Sequence, residues 1–257
     1  LLSGHLLKSP ADMAIRRATS TEEADRLFIV NSTDGSMAVF SLLRSQQVVA
    51  PSSVTTDGEF EAVAVDVDSI YTVVKRTVAS TAVYYVEVFD ASLHTDSAVF
   101  SSSVASTGTA AHLASETLDV IVDGNVQAQK TANGSGVVTF DRASATNFEI
   151  GLPFTLAVKT MPLDPRLQSG PIKGFKKRVV QVNADVFETQ AMSINGQQVA
   201  FRHFGEDVLD KSVQPFTGVK KVGPLLGFVD EGTIEVTQSA PLDMTVLALD
   251  YQLSVGQ

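Results

Sequence analysis

The chain has 257 residues, 19 of them Lys or Arg and 29 Asp or Glu, for a net charge of −10, and it contains neither Cys nor Trp. That length can bury a core and hold one large or two modest domains. The acidic balance works against nucleic-acid binding driven by counterion release, and the lack of Cys removes disulfides, thiolate nucleophiles and cysteine metal sites together.

Mean hydropathy is slightly positive at +0.14. The richest apolar runs, Leu225 to Val229 and Thr245 to Leu249, are nevertheless far too short for a membrane helix, so no membrane segment is expected. The chain opens on Leu1 without an initiator Met or a signal pattern, and is expected to be the C-terminal portion of a longer protein. Val, Thr, Ile, Phe and Tyr number 35, 22, 8, 14 and 4. These residues suit a pleated, half-buried surface, and helical periodicity is hard to find. The expected class is all-β: propeller-like or sandwich antiparallel strands followed by small β-domains.

Residues 1–100 form the first expected region. Strands at Arg26 to Asn31 and Met37 to Leu43 flank Ser32-Thr33-Asp34-Gly35-Ser36, where Gly35 can take the positive φ of a bulged hairpin loop. Ser20 to Arg26, before them, reads as a short polar turn. Asp57-Gly58 marks the next reversal, followed by strands at Glu61 to Val67, Ile70 to Arg76 and Ala82 to Asp90. Val63-Ala64-Val65 and Tyr84-Tyr85-Val86 are apolar on both faces, which predicts strands covered on two sides.

Ser101 through Gly108 is small and polar and reads as a linker or exposed loop. A small β-domain is expected over 101–162, from Leu118 to Val122, Asp123-Gly124, Val137 to Phe140 and Asn147 to Ile150. Pro162, Pro165 and Pro171 then make an extended connector. The C-terminal β-domain, 163–257, begins with a strand over Lys176 to Phe187 that places Val180, Val182, Ala184 and Val186 on one face. Asn195-Gly196 is the strongest hairpin signal in the chain. Pro241, between the last two strands, fits a turn.

No signature of nucleophilic, nucleotide-binding or zinc chemistry occurs, and His5, His94, His112 and His203 lie apart in sequence, so isolated surface or capping roles are expected. Asp66 with Asp68, or Glu206 with Asp207 and Asp210, offers carboxylates for an acid/base or calcium cluster, but Asp66-Val67-Asp68-Ser69 has only the beginning of a calcium-loop pattern, and solvated turn acids are expected in both places. No catalytic residue, metal or cofactor is expected. One feature departs from the acidic background: Arg166, Lys173, Lys176, Lys177 and Arg178 concentrate positive charge after the proline-rich connector. They are read either as a contact to nucleic acid or an acidic partner surface, the acidic partner preferred because no aromatics are interleaved for base stacking, or as the lysines that blunt a solvated edge strand.

Eight stretches resemble a family of bacteriophage tail structural proteins, the tail-tube or nozzle components of short-tailed phages. They are residues 12–17 with 24–31 (DMAIRR, ADRLFIVN), 57–65 (DGEFEAVAV), 95–99 (TDSAV), 120–124 (VIVDG), 150–154 (IGLPF), 174–178 (GFKKR) and 241–249 (PLDMTVLAL). Together they span nearly the whole chain. The resemblance implies a virion protein assembled in the host cytoplasm as a ring of copies, usually sixfold. Such a ring sits below the portal, neighbours adaptor and fibre proteins, and surrounds a channel through which DNA passes without sequence-specific binding. No catalytic residues come with that family. Asp66 and Asp68 are then candidate channel-facing acids that would repel the DNA backbone. A carbohydrate-binding adhesin or receptor-binding module of a phage tail is the alternative, lowered by the absence of Trp and the presence of only four Tyr. A polysaccharide-degrading enzyme ranks third. On the structural reading, part of the apolar excess is surface buried between domains and subunits.

Overall fold

A computed structural model describes residues 3–167, 170–172, 174–202, 205, 211–225 and 227–256, with only the backbone of Arg166, Leu167, Gly170 and Pro171. The protein is all-β: antiparallel sheets joined by turns and, among the described residues, three single-turn 3-10 helices.

The first sheet is a meander of β1 (Pro10–Arg16), β2 (Asp25–Asn31), β3 (Met37–Leu43) and β4 (Val48–Val54), paired in that order. The second is a meander of β5 (Glu59–Asp66), β6 (Ser69–Val78) and β7 (Thr81–Val88). Because side chains alternate across a strand, each sheet has two faces. The facing pair buries Phe28, Val30, Met37 and Val39 of the first sheet against Phe60, Val63, Ile70 and Val74 of the second. This is sandwich packing, one of the two arrangements expected; a propeller-like arrangement is not seen among the described residues.

Gly35 takes φ +63 in the β2–β3 loop, as its position required. Its carbonyl accepts a 2.8 Å hydrogen bond from Phe60 N, which ties the loop to the second sheet. Asp12 Oδ2, on β1, accepts from Val63 N at 3.0 Å, close to a register shift in β5 between Phe60 and Ala62.

The outer faces differ from the expectation of strands covered on two sides. On the second sheet the row Tyr71↔Val88 and the row Val73↔Val86 point outward, with Tyr84 beside Lys75. Val86 is 76% exposed and Tyr84 63%. On the first sheet the outward rows are Met13↔Ile29 and Ile15↔Leu27↔Phe40, and Met13 is 70% exposed. These strands carry apolar residues for two layers, and among the described residues one layer of the second sheet is left open.

The middle unit comprises β8 (Asp96–Ser101), β9 (Thr107–Thr109), β10 (Thr117–Val122), β11 (Asn125–Val126), β12 (Lys130–Thr131), β13 (Val137–Thr139) and β14 (Phe148–Leu152). Its main sheet runs β11-β10-β14-β8, with β12 also on β10 and β13 pairing β9. Leu113, Leu118, Val120, Val138, Phe140 and Ile150 form its core. Residue 100 therefore lies inside β8, a strand of this middle sheet, and the segment read as a linker is strand at both ends.

The C-terminal unit holds β15 (Leu156–Lys159), β16 (Arg166–Leu167), β17 (Gly170–Pro171), β18 (Lys177–Thr189), β19 (Ser193–Ile194), β20 (Gln197–Gln198), β21 (Phe216–Val222), β22 (Glu235–Gln238) and β23 (Thr245–Val255). Two sheets, β15-β22-β19-β20 and β21-β18-β23, enclose Val182, Ala184, Val186, Ile194, Ile234 and Val236. Because β15 pairs with β22, this unit begins before residue 162. Asn195 and Gly196 take φ 48 and 78 in the predicted two-residue hairpin.

The strict alternation expected for β18 is corrected in its first half. Val182, Ala184 and Val186 are buried, but Val179 rather than Val180 is the next inward residue, because the β18–β23 register shifts between Val179 and Gln181. The same shift turns Lys177 inward. β18 is also the central strand of its sheet, so the reading of Lys177 as the guard of an edge is wrong.

Candidate functional site

The basic cluster read from the sequence does not gather into one exposed patch. Lys176 is exposed, whereas the Lys177 side chain is 3% exposed and its Nζ lies 3.7 Å from Asp164 Oδ1. Arg178 is half-buried with its guanidinium 6.0 Å from the centre of the Phe228 ring, and among the described residues its Nε–H has no hydrogen-bond partner. Arg166 starts the short strand β16, and Lys173 lies outside the described residues. Glu206, Asp207, Asp210 and His203 also lie outside them.

Asp66 and Asp68 are exposed at the β5–β6 turn, where Val67 takes φ 53. Asp68 Oδ1 accepts from Arg16 Nε at 3.2 Å and from Nη2 at 2.9 Å, and the same Nη2 donates to Glu23 Oε1 at 2.8 Å. Asp68 thus clasps the second sheet to the first. Among the described residues no group of three metal-ligating side chains exists.

The densest polar constellation was not read from the sequence. Arg76 projects from β6 into the face that also carries Ile70 and Val74, and it is almost completely buried. Its Nε donates to Glu87 Oε1 at 2.9 Å, Nη2 to Glu87 Oε2 at 2.8 Å and to Asp96 Oδ1 at 2.9 Å. Nη1 donates to Asp96 Oδ2 at 3.1 Å and to the Asp57 carbonyl at 2.7 Å. All five guanidinium N–H groups are used, the arrangement a buried Arg requires. Burial by itself would lower the Arg76 pKa; the hydrogen bonds to Glu87 and Asp96 outweigh it and raise it. The signal was present in the alternation: Arg76 shares the parity of Ile70 and Val74, and Glu87 that of Val83 and Tyr85.

Above this network lies a cleft of about 590 Å³ with Phe60, Tyr85, Phe89 and Phe154 among its walls and Glu87, Asp96 and His112 at its polar side. Its polar side is tied into the network beneath. Both carboxylates already accept from Arg76, and Glu87 and Asp96 also accept from Ser97 Oγ and Thr56 Oγ1 at 2.9 and 2.7 Å. His112 Nε2 is 3.0 Å from the Ser97 carbonyl, and Tyr85 donates to the His112 carbonyl at 2.8 Å. In this cleft Glu87, Asp96 and His112 thus hold strands together.

A second junction departs from the expectation of isolated histidines. Glu149, from β14, accepts from the backbone N–H groups of His94 and Thr95 and from the Thr95 hydroxyl, each at 2.7 Å. The His94 ring stands between Glu149 Oε2 at 3.5 Å and Asp243 Oδ1 at 3.2 Å. Hydrogen bonding to Glu149 and then to Asp243 raises the His94 pKa against the opposing effect of burial. Burial would raise the Glu149 pKa, but its bonds to His94 and Thr95 dominate and lower it. The imidazole therefore bridges the middle sheet to the turn before β23.

No helix among the described residues is long and apolar enough to cross a membrane. The sequence matches no protein-family model and no curated protein.

Proposed function

We propose that this chain is a structural subunit of a short-tailed phage tail, of the tube or nozzle kind, that assembles with copies of itself into a ring around a DNA channel. The observation that carries this reading is the open apolar face of the second sheet, where Tyr71, Tyr84, Val86 and Val88 stand exposed in one chain. Contiguous exposed apolar surface of this kind marks an interaction site. The resemblance of eight stretches to tail-tube proteins names the kind of assembly. The polar constellations support it, since Arg76 and His94 connect sheets and units and so make a rigid building block.

In the ring, Asp66 and the diffuse acidic excess would face the lumen and repel the DNA backbone. Multi-angle light scattering and negative-stain imaging of the full-length protein test the reading. A ring of about six copies supports it, a trimer redirects it to a fibre or spike, and a monomer at micromolar concentration overturns it.

The carbohydrate-binding alternative draws on the cleft walled by Tyr85, Phe89 and Phe154. A glycan-binding screen that returned specific ligands lost on Tyr85→Ala would favour it.

A further inference from the structure

The cleft above Arg76 lies where the N-terminal sandwich meets the middle unit, with Phe89 after β7 and Phe154 after β14 both in its walls. At about 590 Å³ it has the size of a small-molecule site. We propose that this cleft binds an organic cation, an amine or quaternary ammonium carried on an apolar body. The site goes beyond the assembly reading and does not depend on it.

Charge selects the sign of the ligand. Glu87, Asp90 and Asp96 line the cleft, and among the described residues no Lys or Arg lines it with them. Arg76, beneath, sets one positive charge against these three carboxylates. Its five N–H groups are all taken and it is buried, so it has no donor left for an anion. The carboxylates, by contrast, keep acceptor capacity. Among the described residues Glu87 Oε2 and Asp96 Oδ1 each accept one hydrogen bond, both from Arg76 Nη2, and a carboxylate oxygen has room for two. Asp90 accepts from the Ser92 N–H and hydroxyl through Oδ1, which leaves Oδ2. The Glu87 and Asp96 side chains are 20% and 21% exposed. A cation can reach them, and it meets less solvent screening there than on an open surface.

The walls select the body. Phe89 rests on Phe60, with ring centres 6.5 Å apart and planes 21° from parallel, and it remains exposed, as does Phe154. The Tyr85 hydroxyl donates to the His112 carbonyl, and the Tyr85 ring stands edge-on to the imidazole at 5.6 Å. Aromatic faces attract cations and also cover alkyl and aryl groups. Arg76 holds Glu87 and Asp96 in place before any ligand arrives, so little ordering accompanies binding. A neutral sugar would use the free acceptors but leave the excess negative charge uncompensated.

The test is calorimetric titration of the full chain at neutral pH with three probes of one shape and different charge: phenethylamine, which is protonated, phenethyl alcohol, which is neutral, and hydrocinnamate, which is an anion. Phenethylamine is expected to bind once per chain with a Kd of about 1 mM or below, within the range open to a ligand of its size. The alcohol is expected to bind about tenfold more weakly, and the anion not to bind.

Asp90→Asn and Phe154→Ala change the cleft at exposed positions outside the Arg76 network, and circular dichroism checks that each variant folds as the wild type does. Each is expected to weaken phenethylamine about fivefold. Asp230→Asn, an exposed acid of the C-terminal unit, is expected to leave the Kd unchanged. Alcohol that binds as tightly as the amine, or amine that does not bind, would overturn the assignment. So would a loss on Asp230→Asn equal to that on Asp90→Asn, since attraction to the acidic chain as a whole would then explain the binding. A glycan that binds here and is lost on Phe154→Ala, with no binding of the amine, would give the cleft to the carbohydrate reading instead.

Discussion

Arg76 on β6 and Asp96 on β8 are joined by two parallel charge-assisted hydrogen bonds, Nη1 to Oδ2 at 3.1 Å and Nη2 to Oδ1 at 2.9 Å. This fork joins the N-terminal sandwich to the first strand of the middle sheet. Planar Arg–carboxylate geometry is specific as well as strong. Replacing Arg76 by Met is expected to leave Glu87 and Asp96 uncompensated in a buried site and to cost about 3–5 kcal/mol in urea unfolding. Adding Glu87→Gln and Asp96→Asn to Arg76→Met should recover part of that loss. A single Arg76→Met variant as stable as the wild type would contradict the account.

The bridge at His94 makes a pH prediction. Its folded pKa lies above the ordinary value of 6.5, so its stabilising contribution is fully present below 6.5 and is lost as pH rises through the raised folded value. The thermal midpoint of the wild type should fall, relative to His94→Asn, as pH is taken from 6 to 9. Hydrogen exchange around Asp243 should speed up over the same range. Parallel pH curves for the two proteins would remove the bridge from the account.

Gly35 has a conformation and a neighbour that exclude other residues. A Cβ there would sit 2.5 Å from the Glu59 Cβ, at a φ of +63 that L side chains rarely adopt. Gly35→Ala should destabilise the sandwich by more than about 1 kcal/mol, combining backbone strain with displacement of the β5 start. Denaturation monitored by tyrosine fluorescence would report it, since Tyr71, Tyr84 and Tyr85 all belong to the second sheet.

Lys177 and Lys176 are adjacent in sequence and opposite in consequence. Lys177→Glu would put a carboxylate near Asp164 in a buried position, so its unfolding midpoint should fall clearly. Lys176→Glu, at an exposed position, should stay within about 0.5 kcal/mol of the wild type. Equal effects of the two substitutions would argue against the inward turn of β18.

Ile150 has no exposed surface and sits on the central strand of the middle core. Ile150→Ala is expected to cost about 2–5 kcal/mol, the transfer of the lost methyl groups plus the cavity they leave. Guanidinium titration followed by circular dichroism measures it.

Much of the fold was legible because it is local. β3 has the bounds predicted for it, Met37–Leu43, because a short apolar run next to a Gly at the required positive φ specifies a hairpin without reference to the rest of the chain. Asn195-Gly196 turns for the same reason. Lys177 was misread because a bulge is a one-residue event that exchanges the faces of a strand. Its position follows from how β18 pairs with β23, where Lys177 stands opposite Val255, 78 residues further along the chain.

From its sequence alone, this protein was determined to be all-β, acidic, free of cysteine chemistry and made of strands apolar enough for two layers. Those properties follow from composition and from the two-residue period, which every strand carries within itself. Only the tertiary structure decided which layer is covered, because Val63 and Val86 look alike in sequence and one meets the first sheet while the other meets solvent. It alone brought Arg76 to Asp96 and His94 to Asp243, since a buried charge finds its partners through strand order and register, and neither is written in the residues beside it.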